Sequence, residues 1–393
     1  MKKWETTTRG GELLTGDVDH DDELEIVIQN NASDINVFDH RGRMLSRFTL
    51  PYKDQHYSCY LKLLADIDQD HRMEMGTGER RNEGELLSAD YYNNQGSPEL
   101  SFKSPLLEDS SYFRPVHVFD DKSFLFNIGD YSYRGPARYN ENGELLWQYD
   151  VGPHVRAISI YDDRILGLSL FTSHNGKEGN GNNGEGTPTD DGNLAVVLID
   201  KDGNELFTKK GFFNSPDGRA YVYVDDFDND GEWEVLVLEL HIANYYPGKT
   251  QLYMLNNRGE IEHTYESINN CYSPRVGFAD FTNDGKKEIV VLVEEYTSKS
   301  NRSLMMLDSE LNLLHEKDYG HPDAINDIDG DGDKELIVRD ETRIVVLDNQ
   351  LKEKYTCELH DALRRAIVSD IDLDGVNDII VLSKDKLYGL SLE

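Results

Sequence analysis

Short apolar runs rich in β-branched residues recur along the chain, each following an acidic stretch. Ile26-Val27-Ile28, Val235-Leu236-Val237, Ile289-Val290-Val291 and Ile379-Ile380-Val381 are examples. Runs of this length and composition predict short buried strands. Downstream lie segments with Gly or Asn near their centres, among them residues 37–45, 139–147, 198–206, 254–261 and 346–351. These predict two-stranded hairpins with turn residues at the tip. The repeating unit therefore reads as four strands, with the acidic stretch between the first and the second.

The acidic stretches share the template D-x-D-x-D-G-x-x-[DE]. Asp17, Asp19, Asp21 and Glu25 form the first copy, and Asp66, Asp68, Asp70 and Glu74 the second. Asp226, Asp228, Asp230 and Glu234 follow, then Asp280, Asp284 and Glu288. The last two are Asp327, Asp329, Asp331 and Glu335, and Asp370, Asp372, Asp374 and Asp378. Oxygen side chains at positions 1, 3 and 5 can converge on one hard cation, and glycine at position 6 allows a sharp turn. An EF-hand shares the first half of this pattern but needs a bidentate Glu at position 12 and flanking helices. Position 12 is Ile28, Thr77, Val237, Val291, Val338 and Val381, and strands follow, so the EF-hand is excluded.

Position 1 falls at 17, 66, 226, 280, 327 and 370, and two degenerate copies centre near Asp120 and Asp162. Anchors spaced in this way, with several strands per unit, predict a β-propeller. Eight anchors give eight four-stranded blades in a single domain over residues 1–393; seven blades remain if one degenerate unit is not independent. The last unit ends after three strands. Trp4 precedes Asp17 at much the same interval as Trp147, which ends a unit, precedes Asp162, so residues 2–7 are expected to complete the final blade. A low-complexity insert within 172–192 reads as a flap or a flexible segment.

The charge changes this picture. Of 393 residues, 75 are Asp or Glu and 40 are Lys or Arg, a formal charge of −35. Such a balance opposes nucleic acid and anionic membrane as main partners. At least 23 of the acidic residues belong to the six loops, so much of the excess is internal. No apolar run approaches a membrane span, so no membrane insertion is expected. Three cysteines, Cys59, Cys271 and Cys357, do not make a disulfide framework. Read literally, the start MKKWETTTRG carries no signal peptide and implies the cytoplasm, whereas weak calcium sites fill readily only outside the cell, where a removed leader would place the chain.

Strand, D-x-D-x-D-G-x-x-D loop and apolar strand together resemble the FG-GAP (VCBS-like) repeats of integrin-α-type propellers. The same repeat occurs in some fungal lectins and in eight-bladed rhamnogalacturonan lyases. The resemblance implies several Ca2+ ions, mainly structural, held by the six sets of carboxylates named above. Asp22 and His71 stand where the template has glycine, and Thr282 where it has the middle aspartate, so the loops at 17, 66 and 280 depart from the pattern.

A ligand site is expected at the other ends of the strands. Arg114, Arg156, Arg219, Arg275 and Arg364 (with Arg365) precede or begin the first strands, shortly before their anchors. His56, His154, His321 and His360 lie in the same connections, and His117 lies in a first strand. Tyr133, Arg134, Tyr245 and Tyr246 sit in long loops on that side. Cations there would attract an acidic glycan and tyrosines would stack on sugar rings. Carbohydrate binding on the face opposite the calcium loops is the leading expectation, by a protein expected to be a monomer. A calcium-dependent polysaccharide lyase acting by β-elimination and a protein-binding adhesion scaffold are the alternatives. No nucleophile elbow, P-loop, HExxH or CxxC is present to name catalytic residues.

Overall fold

The computed structural model describes residues 2–30, 33–50, 58–80, 87–104, 112–129, 134–171, 194–210, 218–241, 251–266, 275–294 and 302–392. Among these there are 32 strands and no helix. They form eight antiparallel sets of four. Blade 1 comprises β2 (Glu12–Gly16), β3 (Glu25–Asn30), β4 (Asp34–Phe38) and β5 (Met44–Thr49). Blade 2 has β6 (Ser58–Ala65), β7 (Glu74–Arg80), β8 (Ser88–Tyr92) and β9 (Pro98–Lys103). Blade 3 has β10 (Tyr112–Val118), β11 (Phe124–Gly129), β12 (Arg134–Tyr139) and β13 (Leu145–Gln148). Blade 4 has β14 (His154–Tyr161), β15 (Ile165–Phe171), β16 (Ala195–Asp200) and β17 (Glu205–Lys210). Blade 5 has β18 (Gly218–Asp225), β19 (Glu234–His241), β20 (Gln251–Leu255) and β21 (Ile261–Glu266). Blade 6 has β22 (Arg275–Ala279), β23 (Glu288–Glu294), β24 (Arg302–Leu307) and β25 (Leu313–Lys317). Blade 7 has β26 (His321–Asn326), β27 (Glu335–Asp340), β28 (Arg343–Leu347) and β29 (Glu353–Glu358). Blade 8 joins β30 (Leu363–Ser369), β31 (Asp378–Ser383) and β32 (Lys386–Leu390) to β1 (Lys2–Thr7) from the other end of the chain.

That last pairing is the one expected from Trp4. It runs from Thr7 opposite Lys386 to Lys2 opposite Leu390, and it covers the edge of β32. The expected flap at 172–192 and the loop residues 131–133 and 245–246 lie outside the described residues.

Contacts divide the chain into two compact units, Met1–Lys122 with Gly320–Glu393, and Ser123–Tyr319. The first holds blades 1, 2, 7 and 8 and the strand β10. Its core consists of apolar layers between neighbouring blades: Leu13, Ile26, Ile28 and Phe38 against Ile371, Ile380, Leu382 and Leu387, for example. The second unit holds blades 4, 5 and 6 and strands β11–β13, with Leu236, Leu238 and Leu252 packed against Ile289, Val291 and Met305. Second and third strands are almost wholly buried, which is why they read as continuous apolar runs. Fourth strands alternate between exposed and half-buried, so they read as polar.

The hairpins between third and fourth strands share one local design. Asp39, Asn93, Asn140, Asp200, Asn256, Asp308 and Asp348 each accept backbone N–H groups from two and four residues on, at 2.7–3.1 Å. This Asx turn fixes each tip. Within each unit the tip glycine of one blade meets an aromatic from the fourth strand of the blade before it: Gly42 on Trp4, Gly96 on Phe48, Gly203 on Trp147 and Gly259 on Phe207. Gly203 combines a left-handed backbone (φ +83°) with an approach that would bring a Cβ to 2.7 Å from the Trp147 ring; Gly143 has a similar φ of +78° in open space. Gly203→Ala is therefore expected to cost about 1–3 kcal/mol, from strain plus overpacking. Gly143→Ala should cost less, from strain alone. Chemical denaturation of the two variants checks this, and equal losses would contradict the packing role.

Candidate metal loops and a cationic cluster

All six acidic loops adopt one conformation. Positions 4 and 6 are left-handed in every copy: His20 and Asp22, Gln69 and His71, Asn229 and Gly231, Asn283 and Gly285, Gly330 and Gly332, Leu373 and Gly375. The turn therefore survives where Asp22 and His71 replace glycine, so those departures do not change the backbone. Position 2, unremarked in the sequence template, is an apolar anchor: Val18, Ile67, Phe227, Phe281, Ile328 and Ile371 are all buried. Burying each contributes about 1.5–3 kcal/mol. The signal for it was present, since every copy carries Val, Ile or Phe there.

Hydrogen bonds hold the carboxylates in place. The position-5 aspartates, Asp21, Asp70, Asp230, Asp284, Asp331 and Asp374, each accept the N–H two residues on, at 2.8–3.0 Å. In five loops the position-1 aspartate accepts the N–H of position 6, as in Asp226 with Gly231 at 3.1 Å. The position-9 glutamates are buried, and one oxygen of each accepts the position-2 N–H: Glu25 from Val18 at 2.9 Å, Glu74 from Ile67 at 3.0 Å, Glu234 from Phe227 and Glu288 from Phe281 at 2.8 Å, and Glu335 from Ile328 at 2.9 Å. Loops also bond to one another within each unit. Met73 N–H reaches Asp17 O, Leu24 N–H reaches Ile371 O, and Lys287 N–H reaches Phe227 O, while the Asn377 amide reaches Asp327 O.

What these bonds leave over is negative. Carboxylate oxygens of Asp17, Asp19 and Glu25 lie within 4.8 Å of one another, as do those of Asp66, Asp68 and Asp70, those of Asp226, Asp228 and Asp230, and those of Asp327, Asp329 and Glu335. Oδ1 of position 3 in three loops, Asp19, Asp329 and Asp372, is buried with no hydrogen-bond donor among the described residues. Burial and the surrounding aspartates push Glu25 up to about 8 and Glu234 to about 7, and burial with Glu99 and Asp68 pushes Glu74 to about 7. Glu288 and Glu335 are raised as well, again chiefly by burial. A set of three or four hard oxygens fits a hard divalent cation, and in the loop at 17, where no lysine stands among the carboxylates, the free direction on Asp19 adds to that fit. In blades 7 and 8 a lysine lies among the carboxylates: Lys354 in the loop at 327 and Lys3 in the loop at 370. Burial opposes the Lys354 charge, but hydrogen bonds to Asp329, Glu335 and Asp331 outweigh it and raise its pKa above the lysine range. The degenerate unit of blade 4 has no such loop; a three-residue connection joins the paired Tyr161 and Ile165, with Asp162 and Asp163 both left-handed and Arg164 N–H donating to Tyr161 O.

At the opposite ends of the first strands the first unit gathers cations. Strands β26, β30, β2, β6 and β10 neighbour one another in that order. Glu12 on β2 accepts from Arg365 on β30 at 2.6 Å and lies 3.8 Å from Lys62 on β6. Arg364 donates to Gly10 O at 2.7 Å, and Arg114 on β10 stacks 4.5 Å from the Tyr112 ring centre. Lys62 lies 5.2 Å from that of Tyr60. Burial, and after it the Arg114 and Arg365 charges, depress the Lys62 pKa despite the opposing pull of Glu12. Lys62 and Arg364 are set by bulges in β6 and β30. A bulge re-aims a side chain without leaving a mark in composition, which is why the sequence did not single out Lys62.

The remaining candidates scatter. In the second unit Arg156, at a bulge in β14, and Arg219 on β18 both lie 4.8 Å from the Phe171 ring centre, and Arg275 is exposed at the start of β22. His154 and His321 begin β14 and β26, and His117 sits near the acidic-loop end of β10, edge-on to Phe119. His360 is exposed, 3.8 Å from Glu358. Arg134 is buried and donates to Gly152 O at 2.9 Å, which commits its guanidinium to the fold. His56, Tyr133, Tyr245 and Tyr246 lie outside the described residues.

No family model matches the chain and no curated protein matches it. Solved structures do. BamB from Moraxella catarrhalis is 12% identical with a TM-score of 0.57, over 99% of this chain and 98% of that one. BBS1N in complex with ARL6DN is 11% identical with a TM-score of 0.51, over 100% and 97%. Both are β-propellers, and at this identity the likeness is one of fold. The chain is thus an all-β protein of propeller class, built from four-stranded blades, the last of them closed by the N-terminal strand.

The raised glutamates make a pH prediction. A carboxylate whose pKa is higher folded than unfolded favours the folded state when protonated, and that contribution is lost as pH rises from about 4.5 toward 7–8. The metal-stripped protein should therefore melt at progressively lower temperature between pH 5 and pH 8. A saturating divalent cation, which binds the ionised carboxylates, should remove or reverse this trend. A flat metal-free profile in differential scanning fluorimetry would contradict it.

Proposed function

We propose that the protein is a calcium-braced β-propeller whose first-strand cations bind an acidic ligand, in the leading case a uronate-containing glycan. The observation that carries this is a group of cations at the first-strand ends, with Lys62 and Arg365 at Glu12, Arg114 near Lys62, and Arg364 on the neighbouring Gly10 carbonyl, in a chain of formal charge −35. Local positive charge of this kind selects an anion against the protein's own net field. Tyr60 and Tyr112, already stacked on Lys62 and Arg114, offer ring faces beside the charges, the pairing a carboxylated sugar requires. The other half of the reading concerns the loops. Ca2+ matches their hard oxygens and variable ligand number, and there it would brace strand ends and blade-to-blade contacts; it plays no part in binding the glycan.

Two measurements test the two halves. Binding to an acidic-glycan panel should be seen for the wild type and should weaken roughly tenfold or more in Lys62→Gln or Arg114→Gln, as expected for loss of a charge-assisted contact. Absence of wild-type binding would remove the glycan reading. Formation of an unsaturated ultraviolet-absorbing product would instead support the lyase variant. Separately, chelation should lower the melting temperature. A site filled at 100 times its dissociation constant contributes about 2.7 kcal/mol, and each kcal/mol corresponds to roughly 2–4 °C or less for a chain of this size. An unchanged melting curve in EDTA would remove calcium.

A protein partner is the second reading. Exposed apolar residues cluster at the starts of fourth strands: Met44 and Leu45, Leu145 and Leu146, Leu206, Ile261, and Leu313 and Leu314. Apolar side chains repeated at one structural position, outside the core, suit a macromolecular surface. The similar BBS1N structure was solved with ARL6DN, a precedent for this fold holding a protein.

A further inference from the structure

Every blade carries a β-bulge at the start of its fourth strand, and the bulged residue is never a cross-strand partner. It is Leu45 in blade 1, Glu99 in blade 2, Leu146 in blade 3 and Leu206 in blade 4. In blades 5 to 8 it is Glu262, Leu314, Lys354 and Lys3. The fourth strand begins on the same side of the sheet as the loop between first and second strands, so a long side chain at the bulge can reach that loop. The two lysines do. Lys354 Nζ stands 2.8 Å from Asp329, 3.0 Å from Asp331 and 2.8 Å from Glu335, the carboxylates of positions 3, 5 and 9. Lys3 Nζ stands 3.0 Å from Asp378 and 3.8 Å from Asp372, positions 9 and 3.

An ammonium at 2.8–3.0 Å from three oxygens occupies the point from which a metal would reach them at about 2.3–2.6 Å. The two cations exclude each other by volume and by charge. We propose that the fourth-strand bulge residue decides what neutralises each acidic loop: Lys354 and Lys3 close the loops at 327 and 370 with an internal ammonium, and the loops at 17, 66, 226 and 280, whose bulge residues are Leu45, Glu99, Glu262 and Leu314, are left to a divalent cation. The loop at 327 thus has the sequence nearest to the ideal cation template, DIDGDGDKE, and yet carries its own counter-ion, which no reading of the loop alone reveals. Blades 7 and 8 hold together without metal, and dependence on calcium is confined to the remaining loops. This rests on calcium filling those loops, and the test separates the two claims.

Bound Ca2+ is counted by equilibrium dialysis at a fixed free concentration for the wild type, Lys354→Met, Lys3→Met and Leu45→Lys, and each is melted with Ca2+ and with EDTA. The expected result is a gain of one ion in Lys354→Met and in Lys3→Met. In both, the melting temperature should drop in EDTA and recover in Ca2+. Leu45→Lys, made at an exposed position, should lose one ion and part of its sensitivity to EDTA; it carries the test if Lys354→Met does not fold without metal. Lys354→Arg should behave as the wild type. Unchanged ion counts in Lys354→Met, Lys3→Met and Leu45→Lys, with melting shifts equal in Ca2+ and EDTA, would overturn the assignment. A wild type that binds no Ca2+ would overturn the calcium reading of the lysine-free loops, and the lysine assignment would then stand on a gained ion in Lys354→Met and fall without one.

Discussion

The constraint on which the rest depends is the buried carboxylate at the foot of each acidic loop. Glu25, Glu74, Glu234, Glu288 and Glu335 begin second strands, the most buried strands of their blades, and each ties down the loop by accepting the position-2 N–H. That bond seats the apolar anchor beneath the loop, under the acidic side chains of positions 1 and 5 and the aspartate or, in the loop at 280, threonine of position 3. A like-charged cluster beside a low-dielectric core is unstable unless a proton, a metal or an ammonium neutralises it. The raised pKa values, the donorless aspartate oxygens and the two inserted lysines are three expressions of that requirement.

The loops also join blades. Backbone bonds from position 8 of one loop to position 1 or 2 of its neighbour run through each compact unit, in parallel with the glycine–aromatic contacts of the hairpin tips. Neutralising a loop therefore stabilises more than the turn it closes. The cationic cluster stands at the other end of the same first strands, where bulges in β6 and β30 present Lys62 beside Glu12 and Arg364 at the Gly10 carbonyl.

Much of this was legible in the residues. The apolar runs that follow the loops at 17, 226, 280 and 370 spelled buried strands, the Asx-Gly hairpins marked the third and fourth strands, and Trp4 pointed to the strand that completes blade 8. The acidic loops were legible because their carboxylates are contiguous. The first-strand cluster was only partly so, because Arg364, Lys62 and Arg114 come from three blades, and the first two are aimed by bulges that depend on cross-strand register. Lys354 and Lys3 were invisible for the same reason: one lies on β29 while its glutamate begins β27, and the other lies at the far end of the chain from Asp378. Arg134 shows the converse, a loop-edge arginine that turned inward to bond a backbone carbonyl.

On the proposed reading each acidic loop is neutralised by one cation, and the chain supplies that cation itself in two of them. A crystal structure grown with Ca2+, with anomalous scattering recorded to locate the metal, tests it most directly. Calcium peaks are expected in the loops at 17, 66, 226 and 280, with Lys354 and Lys3 still seated among their carboxylates in the loops at 327 and 370. Calcium in these last two with the lysines displaced, or no calcium in any loop, would contradict it.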